Sequence, residues 1–231
     1  MQLIHKIKYI GVMKVIFIMI FLLMIPYVES GRSFGRNNYN QRSEMVNKRF
    51  QEITIDSDYS LEEALNGIKI PDDIKKNLRI VNVYYYSFDN KLHQGQVVIH
   101  KDLVQDITSI FNVIKEKRFH IAKVIPIVKY NWNDEKSMED NNTSAFNYRF
   151  IAGTKKLSNH STGTAIDINP LLNPYIRKDS ILPEGAVYDV NKDGTITENS
   201  FLVKEFKKLG WTWGGDWKDR KDYQHFEKKP E

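Results

Sequence analysis

Six histidines and no cysteine leave any metal site to be built from His, Asp and Glu. Two of the histidines stand beside carboxylates at spacings that matter. In Ser158-Asn159-His160-Ser161-Thr162-Gly163-Thr164-Ala165-Ile166-Asp167, a turn centred on Gly163 leads into an alternating stretch that puts Ala165 and Asp167 on one face of a strand, so the turn can bring His160 and Asp167 together. Further on, Asp222-Tyr223-Gln224-His225-Phe226-Glu227 holds a second His between two carboxylates. Two imidazoles and one carboxylate form a ligand set that zinc accepts, with a fourth position left for water. Hydrolysis then needs a carboxylate off the metal to carry the proton of that water, and Asp222 is the candidate. It also needs a cation facing the developing oxyanion, and Arg149 could supply it. Glu227 is expected to orient His225 from outside rather than to act as a fourth ligand.

The elements that must hold these residues follow from periodicity. Ser60-Leu61-Glu62-Glu63 is a capping box that opens a short helix, and Pro71 with Asp72 and Asp73 opens another. Arg79 to Phe88 and Gln94 to His100 are β-branched and aromatic runs around Asp89-Asn90, a hairpin pattern. Leu103, Ile107, Ile110, Phe111 and Ile114 recur at three and four, which predicts an amphipathic helix between Lys101 and Arg118. Strands are expected at Ile121 to Val128, at Ala145 to Ile151 with Arg149 near its end, and at Trp211 to Trp213. Helices are expected at Asp134 to Asp140 and through Phe201, Leu202, Phe206 and Leu209. Strands and helices mix without strict alternation, so the reading is one α+β domain over residues 50–231, a small antiparallel sheet flanked by helices. Trp211, Trp213 and Trp217 could line a substrate groove, but aromatics at this strand spacing are more often core, and Trp211 is expected to pack there; Gly214-Gly215 suit a tight turn beside the cleft.

The patterns S-x-H-x-x-G-x-A-x-D and D-x-x-H-F-E, together with Asn141 to Arg149 and Trp211 to Trp217, resemble the zinc D-alanyl-D-alanine carboxypeptidase and L-alanyl-D-glutamate endopeptidase family, which cuts peptidoglycan stem peptides. The resemblance implies a zinc site in a central cleft, with His160, Asp167 and His225 as ligands of one Zn2+ per chain and Asp222 as the base. Many carboxypeptidase members carry Glu where this chain has Asp222, and the endopeptidase-like branch uses Asp, so the bond cleaved stays open. The same fold resembles the non-catalytic zinc domain of hedgehog-type proteins, and a zinc-stabilised wall-binding or signalling domain is therefore the rival reading.

Composition narrows the setting. The 231 residues are 41% hydrophobic and 27% charged, a globular balance, and the absence of Cys excludes disulfides, thiolate zinc sites and cysteine nucleophiles. The formal charge of +5 is modest, and Lys6, Lys8 and Lys14 against Glu29 supply two of those charges before residue 31. No basic helix or aromatic RNA motif accompanies it, so no nucleic-acid partner is expected. A basic start, the uncharged run from Val15 to Val28 and small residues before Gly31 read as a secretory signal peptide over residues 1–30. The run is short of the roughly 20 residues that span a bilayer, so export without stable membrane insertion is expected. Residues 31–49 are polar and aperiodic, a flexible leader. Asp189 to Ile196 imitates the start of a calcium loop, but the twelfth position is Ser200 rather than Glu, so an Asp/Asn/Gly turn is expected there instead of Ca2+. The protein is expected to act as a monomer in the periplasm, the cell envelope or outside the cell.

Overall fold

The computed structural model describes residues 52–178 and 180–230. The expected signal peptide and leader lie outside the described residues. Gln51–Glu231 forms a compact unit by itself.

The first layer is the predicted hairpin. Strands β2 (Leu78–Tyr86) and β3 (Leu92–His100) pair antiparallel over their full lengths, from Leu78 opposite His100 to Tyr86 opposite Leu92. Asn90 makes the turn in the left-handed region, at φ 62°, which Asn tolerates better than most residues. Strand β1 (Thr54–Ile55) adds to β3 in parallel, so this sheet is mixed rather than purely antiparallel.

Two short helices precede the hairpin, α1 (Leu61–Ala64) and α2 (Asp72–Lys75). The capping box at Ser60 is formed as the sequence predicts, with Glu63 and Ser60 each satisfying the other's backbone N–H. Helix α3 (Val104–Glu116) lies against β2 and buries Ile107, Ile110, Phe111 and Ile114. Thirteen residues are marginal as an isolated helix. Each fully buried large apolar side chain contributes about 1.5–3 kcal/mol, and that packing is what holds the helix.

Two predicted strands are corrected. Ile121 to Val128 yields only β4 (Lys123–Val124), because Pro126 has no N–H to donate and instead heads a 3-10 turn at Ile127–Tyr130. Its apolar residues Ile121, Val124 and Ile127 are buried at a spacing of three rather than two. Ala145 to Ile151 is not a strand. β4 pairs in parallel with β5 (Asn142–Thr143), and beyond it the backbone bonds outward to other loops: Phe146 N–H to the Val98 carbonyl, Asn147 N–H to that of His160. Helix α4 (Asp134–Glu139) forms where expected, capped by Asn133.

The remaining strands form two further three-stranded sheets, so the architecture is a set of small sheets rather than one. In one, β11 (His225–Glu227) lies between β6 (Ala165–Asp167) and β9 (Thr212–Trp213), antiparallel to both. In the other, β7 (Tyr175–Arg177) lies between β8 (Ser180–Leu182) and β10 (Lys221–Asp222). Helix α5 (Phe201–Lys208) buries Leu202, Val203 and Phe206, and Phe206 stacks on Phe226 with centroids 3.8 Å apart. Asp106 of α3 accepts hydrogen bonds from Trp211 Nε1 and Lys228 Nζ, both at 2.8 Å, which ties the helix to one end of the β9–β11 ladder. The fold is thus α+β, as read from the sequence.

Candidate metal centre

His160 sits in a 3-10 turn, Asn159–Thr162, that Ser158 opens and Gly163 closes. Gly163 has φ 66°, and a Cβ there would lie 2.8 Å from the backbone nitrogen of His100, whose N–H donates to the Gly163 carbonyl. The turn is therefore pressed onto β3 at a place only glycine fits. Asp167 ends β6 and stands directly opposite His225 of β11. The three side chains are buried, and one donor atom from each lies within 4.8 Å of the others.

The outer nitrogen of each ring is held. His160 Nδ1 donates to the Ala145 carbonyl at 2.5 Å, an atom that can only accept. His225 Nε2 lies 2.9 Å from Glu227 Oε2, which also accepts from Asn159 Nδ2 at 2.5 Å. Glu227 thus holds His225 from outside, the part expected of it. With those protons assigned, the inward atoms, His160 Nε2 and His225 Nδ1, are lone pairs 3.3 Å apart. Asp167 adds its carboxylate, Oδ2 at 3.2 Å from His160 Nε2 and Oδ1 at 2.9 Å from His225 Nδ1. Three acceptors facing one another repel unless a cation or a proton stands between them. Zinc bonds of about 2.0–2.2 Å place neighbouring tetrahedral donors roughly 3.4 Å apart, close to the spacing found. The donor set fits such an ion.

The electrostatics agree. Burial alone would discharge His225, but the hydrogen bonds that Asp167 and Glu227 accept from the charged ring outweigh it and push the ring up to about 10. Burial likewise works against ionised Asp167, and the neighbouring His160 and His225 overcome it and hold its carboxyl well below the ordinary range. Glu227 is lowered by its bond to His225. The pocket is built to retain positive charge at its centre.

Asp222, at the end of β10, lines the same cavity of about 530 Å³. Burial pushes its carboxyl up to about 6, and Oδ1 has no hydrogen-bond partner among the described residues. A Cβ on Gly214 would come within 2.5 Å of the Asp222 carbonyl oxygen and 2.7 Å of its Cβ, so the turn at Gly214–Asp216 closes tightly on this residue.

Arg149 lines the cavity from an irregular segment, not from a strand end. Its Nη2 pairs with Asp134 Oδ2 at 2.9 Å, and its Nε is buried without a partner among the described residues. Its backbone is clamped to the His160 turn, since Arg149 N–H donates to Ser161 Oγ, and both Ser161 Oγ and Ser158 N–H donate to the Arg149 carbonyl.

Trp211 packs in the core as expected, Trp213 does the same, and Trp217 reaches the cavity with its ring 5.5 Å from that of His225. Residues 189–196 form turns, with Asp189 Oδ1 accepting the Asn191 N–H and Gly194 at φ 82°. Cavity residues missed by the sequence reading are Asp134, Tyr175, Arg177, Arg220 and Gln224. Asp134 read only as a first-turn helix carboxylate, and the β7–β8 hairpin left no periodicity long enough to notice.

Residues 152–228 match the family model described as D-alanyl-D-alanine carboxypeptidase. A stretch of 73 residues is 38% identical to the peptidoglycan L-alanyl-D-glutamate endopeptidase CwlK of Bacillus subtilis (strain 168), covering 32% of this chain and 40% of that relative. The chain thus matches less than half the length of this curated relative. No solved structure matches. His160, Asp167, Asp222 and His225 fall inside the matched segment, while Asp134 and Arg149 lie outside it. The segment that carries the site, residues 152–228, is thus similar to the D-alanyl-D-alanine carboxypeptidase family that its two histidine motifs resemble.

Proposed function

We propose that this protein is an exported zinc metallopeptidase that hydrolyses peptide bonds in peptidoglycan stem peptides. The observation that carries the reading is the convergence of His160 Nε2, His225 Nδ1 and the Asp167 carboxylate, with the outer nitrogen of each ring already engaged. These three residues would hold one zinc ion. The chemistry supplied by a bound ion is Lewis acidity, which makes water acidic near neutral pH and polarises a carbonyl.

The chain's own residues do the rest. Asp222, ionised, takes the proton of the attacking water and returns it to the leaving amine. Its burial keeps its basicity near the working range instead of several units below it. Arg149 faces the carbonyl oxygen as negative charge develops there. Asp134 and the Ser158–Ser161 turn hold that guanidinium and its backbone in place before substrate arrives.

The export reading rests on residues 1–30, with a leader at 31–49 and the peptidase domain at 50–231, acting as a monomer. The bond cleaved is either the terminal D-Ala-D-Ala bond or the internal L-Ala to D-Glu bond. Mass spectrometry of purified peptidoglycan, incubated with the protein with and without a zinc chelator, tests the assignment. Chelator-sensitive loss of terminal D-Ala marks the carboxypeptidase, and severed stems mark the endopeptidase. An unchanged digest from zinc-loaded, folded protein would overturn the peptidase reading in favour of a binding domain of the same fold.

A further inference from the structure

A peptide that carries carboxylates meets several acidic side chains on the wall of this cavity. Asp134, Asp167, Asp222 and Glu227 all line it. Three arginines oppose them, and two are already engaged. Arg149 is paired with Asp134, and Arg220 is paired with Asp219 at 2.8 Å while lying 4.6 Å over the Trp217 ring. Arg177 also lines the cavity, and its guanidinium makes no ion pair or hydrogen bond with any described residue.

Register places Arg177 relative to Asp222. Strands β7 and β10 pair so that Tyr175 stands opposite Asp222. Arg177 is two residues on, hence on the same face as Tyr175 and about 6.8 Å along the strand. Both residues line the cavity. An extended peptide advances about 3.3–3.6 Å per residue, so an arginine at this position reaches the residue next to the cleaved bond on one side.

We infer that Arg177 is a specificity-determining residue that binds a free carboxylate on the residue supplying the leaving amine. The inference rests on the peptidase reading above and deepens it. Both candidate bonds present that chemistry. A terminal D-Ala leaves with its own α-carboxylate, and an internal D-Glu keeps one of its two carboxyls free. A guanidinium binds a carboxylate through paired, charge-assisted hydrogen bonds, the geometry that lysine does not reproduce. The contact is remote from the reacting carbonyl and equally made before and during reaction, so it acts on KM rather than kcat.

The test uses the zinc-loaded full chain and two matched pairs of synthetic stem peptides. In each pair the carboxyl in question is free or converted to the primary amide, on terminal D-Ala in one pair and on D-Glu in the other. Cleavage is followed by mass spectrometry, and binding by calorimetry in the Asp222→Asn background, where turnover does not intervene. Amidation of the carboxylate that is read should raise KM and Kd about tenfold or more in the chain with Arg177, with kcat within about twofold. Arg177→Gln should weaken the free acid to the level of the amide and abolish the difference, and Arg177→Lys should restore only part of it.

No effect of amidation in either pair, or an effect that persists in Arg177→Gln, overturns the inference. So does a folded chain that binds none of the peptides. A chain that binds the free acid through Arg177 but cuts neither peptide would leave the inference standing and remove the proposed activity. Which pair responds identifies the bond.

Discussion

Asp167 and His225 are cross-strand partners, directly opposite in the β6–β11 ladder and 2.9 Å apart at their side chains. The spacing of two of the three donor groups is thus a property of strand register, which backbone hydrogen bonds fix, and not of loop conformation. A slip of one residue in β11 would turn His225 to the opposite face. Glu227, two residues along, shares the His225 face and reaches its outer nitrogen.

That outer bond gives the first prediction. Glu227→Gln leaves the three inward donors in place but removes the charge that orients His225. Zinc affinity should fall about 10–100-fold, as measured by competition with a chromogenic chelator. Unchanged affinity would reduce Glu227 to a surface residue.

Asp222→Asn should bind zinc with the stoichiometry of the parent and lose at least about 10²-fold in turnover, because the amide cannot take a proton from water. Metal content by atomic absorption and stem-peptide cleavage separate the two properties. Comparable cleavage rates would end the case for Asp222 as the base.

Gly214→Ala inserts a methyl group against the Asp222 backbone, at 2.5 Å from its carbonyl oxygen. Asp222 must move. Displacement of a reacting group by about 1 Å costs roughly 10²-fold in rate, and kcat should fall by that order while the donor set, held by the β6–β11 pairing, still binds zinc. A variant that loses metal and folding together would show that the turn supports the whole domain instead.

The pH dependence follows from the upward shift of Asp222 to about 6, caused first by burial. The raised value means that the protonated form persists to higher pH than for an ordinary Asp. A base acts only when ionised, so activity should be present above about pH 6 and lost as pH falls through it. A profile of kcat/KM would show this as an acid limb. A limb that stays put in Asp222→Glu belongs to another group.

Much of this site was legible because its signals are local. The S-x-H-x-x-G-x-A-x-D segment names a turn and a short strand, and D-x-x-H-F-E places the proposed base, the proposed ligand and that ligand's outer partner on neighbouring positions. The helix at α3 was equally plain from its three-and-four spacing. What escaped depends on distant pairing. Ala145 to Ile151 has the composition of a strand, but its carbonyls and N–H groups are used by Val98, Ser158, His160 and Ser161 instead of a ladder. Arg149 was read as a cation for the oxyanion, and its tie to Asp134, fifteen positions earlier, has no signature in either segment. His93 is another case. It is buried between Asp56 and Asp89, with Tyr85 also bonded to Asp56, whereas the sequence leaves His93 in the connection between the two predicted strands.

The position of β11 between β6 and β9 has one more implication. A middle strand docks only when both neighbours offer their edges, and this one brings in His225 across a separation of 58 residues from Asp167. Before that docking, a nascent chain has a His160–Asp167 pair and nothing that completes the donor set. The arrangement works as a safety catch: the three donors come together only when β11 has docked against β6, so a chain that has not made that pairing has no complete donor set.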